Sequence, residues 1–228
     1  MLPPPCRDQV FEGGAYVVCV LPTDRYAISI VHNPAPSEAD ATVMDAIRAR
    51  ARNGPAPLLA MNAGMYDPRL NAIGLLIEQG VTLSPLNTND GPGNFHLKPN
   101  GVFAIGRNGH ARVTASDAAS PSPEAAFATQ SGPMLVIGGE LHPAFDPDGA
   151  SRYRRNGVGV RPDGTVVFAI SRDRVSFGAF ARLFRDALGC PDALFLDGAV
   201  STLAGPDGPW VGGNAPAGPV LMVDPQRS

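Results

Sequence analysis

Several common features are missing from this chain, and each absence removes a class of function. No stretch of its 228 residues approaches the roughly 18 consecutive apolar residues that a membrane-spanning helix needs, so no membrane span is expected. Cations are in slight deficit, with 18 Lys+Arg against 21 Asp+Glu and a formal net charge of −3. A nucleic-acid backbone is gripped by clustered Lys and Arg, so nucleic acid is not an expected partner. The four histidines, His32, His96, His110 and His142, are scattered, and no His-x-x-x-His or Cys-x-x-Cys pairing suggests zinc. Neither a Gly-x-Ser-x-Gly elbow nor a Gly-x-x-x-x-Gly-Lys-Ser/Thr loop occurs, which leaves serine hydrolase and P-loop chemistry without support. Asp146-Pro147-Asp148-Gly149-Ala150-Ser151 begins like a calcium loop, but Gly157 occupies the twelfth position, where such a loop needs an acid. No metal and no cofactor are therefore called for.

Cysteine is also scarce. Cys6 and Cys19 lie on either side of the turn-like Glu12-Gly13-Gly14, where chain reversal would bring them together as a candidate disulfide; two reduced, half-buried thiols are the alternative. Cys190, in Leu188-Gly189-Cys190-Pro191, reads as a small buried apolar residue. Met1-Leu2-Pro3-Pro4-Pro5 has neither a charged n-region nor an apolar h-region, so either the protein is cytoplasmic or a signal has been removed.

What the chain does have is glycine and proline, 26 and 24 residues, and 44% hydrophobic residues, enough for a sizeable core broken into short elements. No repeat, linker or low-complexity segment divides it, so residues 1–228 read as one domain. A helix is predicted over Ser176 to Leu188, where Phe177, Phe180, Leu183, Phe184, Ala187 and Leu188 recur at helical spacing between a capping Ser176 and a terminating Gly189. Another is predicted from about Ser37 to Arg52, with Val43, Ala46 and Ile47 inward. Hairpins are predicted around Pro22-Thr23-Asp24, Pro99-Asn100-Gly101 and Pro162-Asp163-Gly164. Leu58 to Asn62, Ile73 to Ile77, Met134 to Ile137 and Ala193 to Leu196 are apolar runs suited to buried strands. The expected class is α+β: a largely antiparallel mixed sheet or sheets with two or three packed helices.

Two of these strands stop abruptly in polar, glycine-containing turns. Leu58 to Met61 runs into Asn62-Ala63-Gly64-Met65-Tyr66, and Leu194 to Leu196 runs into Asp197-Gly198-Ala199-Val200-Ser201-Thr202. A carboxylate directly after a buried strand is a candidate acid or base, although Asp-Gly is also a common plain turn. If Asn94 to Lys98 is a strand, Asn94, His96 and Lys98 share one face. Lys98 is the one lysine of the chain. Arg152-Tyr153-Arg154-Arg155-Asn156 is the best candidate anion site, since guanidinium groups match phosphate or carboxylate in bidentate fashion; a solvated edge is the alternative.

Taken in order, the segments Asn62-Ala63-Gly64-Met65-Tyr66, Gly74 to Gly80, Gly93 to Phe103, Ala128-Thr129-Gln130-Ser131-Gly132-Pro133-Met134-Leu135, Arg155 to Val160 and Leu196 to Thr202 resemble the phosphodiester glycosidase family, the domain of the lysosomal uncovering enzyme, in its bacterial branch. The likeness spans roughly residues 10 to 225. It implies a hydrolase that cleaves the glycosidic bond of a sugar-1-phosphodiester and releases free sugar and a phosphomonoester. By the resemblance, Asp197 and Arg155 are catalytic: Asp197 activates water or attacks C1, and Arg155, with Lys98 assisting, stabilises the leaving phosphate. Asn62, Gly64, Asn94, Lys98, Gln130, Ser131, Asn156, Gly198 and Ser201 would bind substrate. Glu78, a possible second carboxylate, reads as an exposed hairpin residue. The implied partner is a small molecule or glycan bearing a phosphodiester, and the implied compartment is periplasmic or otherwise outside the cytoplasm. Ala63, Ala199 and Val200 stand where the wider family has glycine, and their side chains are expected to narrow the room beside the carboxylate. A non-catalytic envelope protein that binds an anionic glycan, and a phosphodiesterase cutting on the phosphate side, are the alternatives.

Overall fold

The computed structural model describes residues 2–32, 41–119, 124–198, 200–213 and 215–226. Three antiparallel sheets wrap one apolar core. The first runs in the order β1 (Cys6–Phe11), β2 (Gly14–Leu21), β13 (Val166–Ser171), β12 (Asn156–Val160), β14 (Asp192–Asp197), β10 (Met134–Ile137) and β11 (Glu140–Leu141). The second is β16 (Gly208–Val211), β15 (Leu203–Gly205), β4 (Leu59–Asn62), β17 (Pro219–Pro225) and β3 (Tyr26–His32). The third is β6 (Val81–Ser84), β5 (Leu76–Glu78), β9 (Ala125–Ser131), β7 (Gly101–Gly106) and β8 (Ala111–Ala115). This is the α+β, largely antiparallel architecture expected from the turn-rich sequence.

Side-chain alternation along the strands assigns the two faces of each sheet. On β2, Val17, Cys19 and Leu21 enter the core shared by all three sheets, where they meet Ile30 of β3, Met61 of β4, Phe103 of β7 and Val158 of β12. Tyr16 and Val18 point the other way, into a second cluster beneath α2 (Phe177–Arg182). Ser176 caps α2 by accepting from Ala179 N at 3.1 Å, and the helix widens into a π turn over Leu183–Ala187 before Gly189 ends it at φ 69°. The glycines of β12 let this helix sit directly on the sheet: a Cβ at Gly159 would stand 2.8 Å from the Cys190 sulfur and the Phe184 ring, and one at Gly157 would stand 3.2 Å from the Phe180 ring. α1 (Val43–Arg52) covers the outer face of the second sheet with Val43, Met44, Ala46 and Ile47, and it opens on a capping box between Thr42 and Asp45.

The structure revises several local expectations. The first helix begins at Val43, and the predicted start at Ser37 lies outside the described residues. β2 and β3 do not form a hairpin across Pro22-Thr23-Asp24: β2 pairs with β1 and β13, and β3 pairs with β17, so that turn carries the chain from one sheet to another. Asn94–His96 is a 3₁₀ turn instead of a strand, so Asn94, His96 and Lys98 share no sheet face, and β7 pairs with β8 and β9. The hairpin of β12 and β13 around Pro162-Asp163-Gly164 forms as read. Cys190 is buried, and desolvation pushes its thiol up to about 12, consistent with an inert packing residue.

Cys6 and Cys19 face each other across the β1–β2 ladder and are joined as a disulfide. Closing a loop of this length contributes about 3 kcal/mol by restricting the unfolded chain. Replacing both cysteines by serine is expected to lower the thermal midpoint by about 6–12 °C, read by calorimetry against the oxidised protein.

Candidate functional site

The two turns singled out in the sequence meet, and an asparagine joins them. Asn156, the first residue of β12, lies in register with Asp197, the last of β14, and is fully buried. Its Nδ2 donates to Asn62 O at 2.9 Å and Asn62 Oδ1 at 3.2 Å; its Oδ1 accepts from Asp197 N at 3.0 Å and Ser201 Oγ at 3.3 Å. Asn62 ends β4 in the second sheet, and its Oδ1 also accepts from Thr202 N at 2.9 Å. Ser201 Oγ reaches Asp197 O at 2.6 Å, which closes the 197–201 turn on itself. Ser131, at the end of β9, adds the third sheet by donating to Leu196 O at 2.6 Å. Strand ends from all three sheets are thus tied to the residue pair Leu196-Asp197.

Buried polar atoms normally find partners, and an orphan marks a point of interest. Asn62 Nδ2 is such an orphan. Both acceptor bonds at Oδ1 fix the amide's orientation, so the unpaired donor is left at the junction of the turns.

Arg155, next to Asn156, points to the opposite face of β12 and is 1% exposed. Its Nε donates to Val175 O at 3.0 Å and its Nη2 to Ser151 O at 2.9 Å, while the guanidinium carbon sits 3.5 Å from the centre of the Phe177 ring and 5.5 Å from that of Phe195. No carboxylate pairs with it among the described residues. Desolvation lowers its pKa to about 10, so it stays charged at neutral pH. An uncompensated buried ion costs several kcal/mol, and two carbonyls and an aromatic face offset only part of that. The stack continues from Phe177 to Phe145 at 4.9 Å and on to His142 at 4.7 Å, where burial pulls the imidazole below its usual pKa.

Tyr66, not expected as a site residue, lies within electrostatic reach of Asp197. Its hydroxyl donates to Pro216 O at 2.5 Å, and desolvation, reinforced by the Asp197 charge, pushes its pKa upward. The signal for it was the strand-to-turn break itself, four residues after Asn62. Gly198 is close to the basic segment, since a Cβ there would stand 3.3 Å from Arg154 O.

Most of the other expected site residues are engaged within the protein. Gln130 is buried with its amide saturated: Oε1 accepts from Leu75 N and Asn87 N, both at 2.9 Å, and Nε2 donates to Asn87 O and Ser116 Oγ. Gly64 is where β9 crosses closest, because a Cβ would lie 2.2 Å from Gln130 O. Lys98 is exposed, and its ammonium bonds Asp90 Oδ1 at 2.6 Å and Thr88 O at 2.8 Å, so it is committed to its own loop. Asn94 is exposed on the 3₁₀ turn. Glu78 is half-buried instead of exposed, because its Oε2 accepts from His32 N at 3.0 Å and ties β5 to β3. Among the described residues no cluster of His, Cys, Asp and Glu is arranged to hold a metal.

Asn156→Ala strands the backbone N–H of Asp197 and the carbonyl of Asn62 in a dry interior. Urea unfolding is expected to show a loss of about 3 kcal/mol, since each orphaned buried group costs about 1–3 kcal/mol.

The family model described as phosphodiester glycosidase matches residues 57–218. YigE of Escherichia coli K12, an uncharacterized protein, is 38% identical over 154 residues; the match covers 67% of this chain and 60% of YigE, so it spans less than two thirds of that relative. The catalytic domain of zebrafish N-acetylglucosamine-1-phosphodiester alpha-N-acetylglucosaminidase, auto-inhibited by its pro-peptide, superposes with a TM-score of 0.66 at 14% identity, over 97% of this chain and 82% of that one. A Burkholderia pseudomallei protein, named as a candidate exported protein, superposes at 0.63 with 13% identity over 93% of this chain and 74% of its own. At such identities the two structures speak for the fold; the family model, which takes in Asn62, Arg155 and Asp197 together, speaks for descent. The chain belongs to the phosphodiester glycosidase family.

Proposed function

We propose that the protein, acting as one unit over residues 1–228, hydrolyses the glycosidic bond of a sugar-1-phosphodiester to free sugar and a phosphomonoester. The observation that carries this reading is the buried, carboxylate-free guanidinium of Arg155, one residue before the asparagine that holds Asp197. A phosphodiester supplies the missing counter-charge. The phosphomonoester it releases is also a good leaving group, so stabilising its charge lowers the barrier more than protonating it. Electrostatic stabilisation of this kind acts through the low-dielectric interior and does not require Arg155 to be exposed.

In the reaction a water oxygen forms the new bond to C1 and the C1–O bond breaks, its electron pair leaving with the phosphomonoester. Asp197 is the carboxylate assigned to C1, taking the water proton or attacking C1 itself. Asn62, with its unpaired Nδ2, is the donor best supported for a substrate oxygen. Asn156, Ser131, Ser201 and Gln130 are assigned to holding the turns in place, since their polar atoms are occupied within the protein. Lys98, bound to Asp90, has no role in this scheme.

We also infer a location outside the cytoplasm. The Cys6–Cys19 disulfide fits an oxidising compartment, and the Burkholderia relative is named for export. Among the described residues no helix is long and apolar enough to cross a membrane.

Asp197→Asn is expected to abolish release of reducing sugar from a sugar-1-phosphodiester while retaining sugar-phosphate binding in calorimetry. Undiminished turnover would remove Asp197 from the mechanism, and binding without any turnover in the unaltered protein would favour a non-catalytic glycan binder. Arg155→Met, which removes a charge acting at a distance, is expected to weaken phosphate-bearing ligands by about 1 kcal/mol in calorimetry, with neutral sugars unaffected.

A further inference from the structure

The exposed part of the basic segment is not used by this mechanism, yet it is built and aimed. Tyr153 pairs with Val175 through two backbone hydrogen bonds, from Tyr153 N to Val175 O at 3.2 Å and from Val175 N to Tyr153 O at 2.9 Å. This pairing runs the Arg154 and Arg174 positions alongside each other on adjacent antiparallel segments, with Arg152 just before the bridge. All three arginines are exposed, and none makes a side-chain hydrogen bond or ion pair among the described residues. The neighbouring acids form no ion pair with these arginines: Asp173 Oδ2 accepts from Ala15 N at 2.9 Å, and Asp146 Oδ1 from Asp148 N at 3.0 Å. Like charges set side by side across paired strands repel, so the free protein gains nothing from this arrangement.

Two further features direct the patch toward the candidate site. Arg154 O lies 3.3 Å from the Cβ position of Gly198, directly behind Asp197. The segment is also held rigidly, because the Arg155 guanidinium grips Ser151 O at one end and Val175 O at the other. Tyr153, 54% exposed, stands between the buried cation and the exposed ones, with its ring centre 5.8 Å from the Arg155 guanidinium carbon. In a chain of net charge −3, three arginines without an ion pair gather around one aromatic face, where an anion can meet them.

We propose that this surface binds a second phosphate of the substrate, on the far side of the scissile phosphodiester from the sugar. The preferred substrate is then a sugar-1-phosphodiester whose leaving group itself carries a phosphate or continues as a phosphodiester chain. Forked guanidinium groups from Arg154 and Arg174 suit two edges of one phosphate, and Tyr153 packs against the connecting carbons. This rests on the phosphodiester glycosidase reading above and specifies its leaving group.

Two substrates test it: a sugar-1-phosphoryl-glycerol, and the same compound with a phosphate on the distal glycerol hydroxyl. The expected result is a kcat/KM roughly tenfold higher for the doubly charged compound at low salt, with the advantage largely lost at about 0.5 M salt. In Arg154→Gln/Arg174→Gln, kcat/KM for the doubly charged compound is expected to fall roughly tenfold further than for the singly charged one. Equal kcat/KM for the two compounds, or an equal fall for both in the variant, overturns the proposal. If neither compound is hydrolysed, the glycosidase reading fails by itself, and calorimetry with the doubly charged compound then decides the patch: weaker binding by the variant supports it, and unchanged binding overturns it. Both substitutions are on exposed side chains, and circular dichroism checks that the variant is folded.

Discussion

The buried amide of Asn156 is the interaction on which the site depends. Its two ends point at chains that no local interaction would bring together: the carbonyl end takes the N–H of Asp197, and the amino end donates to Asn62, which is 94 residues away in sequence. A carboxylate at the tip of an isolated strand would wander with its loop. Here the backbone beneath Asp197 is fixed by hydrogen bonds from two sides, and the Ser131 hydroxyl fixes the preceding carbonyl from a third sheet. The three-sheet arrangement therefore does more than enclose a core, because its strand ends are the supports of a single turn. A half-satisfied buried network is costly, which makes the full pairing of Asn156 beside the unpaired Asn62 Nδ2 informative: the structural demands end at one atom and a ligand's can begin there.

On the other face of the same strand, Arg155 solves a different problem. Burying a guanidinium without a carboxylate would be expensive, and the sequence offsets this with aromatic surface and main-chain carbonyls instead of opposite charge. A carboxylate partner would have cancelled the positive potential; Phe177, Ser151 O and Val175 O anchor the side chain and leave its charge in place. The same contacts splint the Ser151–Val175 loop pair, so one residue supplies both the field and the rigidity that presents Arg154 and Arg174. Helix α2 contributes to this through its first residue, Phe177, which explains why the helix must start where Ser176 caps it.

Much of this was legible in the sequence, for definable physical reasons. The helical period of Phe177, Phe180 and Phe184 placed α2 and its cap. The Pro162-Asp163-Gly164 turn marked β12 and β13, the abrupt end of an apolar run marked the strand that ends at Asp197, and family resemblance pointed to Asn62, Arg155 and Asp197. The partners of the turns were less visible. Pro22-Thr23-Asp24 looks like a hairpin because a turn's composition reports reversal of direction, not which strand lies next to it, and here the reversal changes sheets. The 3₁₀ turn at Asn94–His96 was mistaken for a strand because three residues of alternating polarity fit both. Glu78 seemed exposed because its hairpin is on the surface, yet a backbone N–H from β3, 46 residues earlier, meets it. Sequence spacing has no means of showing such long-range bonds.

One departure from the family pattern acts on the core. Ala63 stands where a glycine was expected, and its methyl group was expected to crowd the carboxylate. Instead Ala63 is fully buried in the core shared by the three sheets, while its N–H donates to Pro219 O at 2.8 Å. The extra methyl fills core volume and so acts on stability. Gly64, which does face a crowded crossing, remains glycine, because a side chain there would strike the backbone of Gln130. The pattern is consistent: glycine is kept where backbone approaches backbone and relaxed where the neighbour is apolar core.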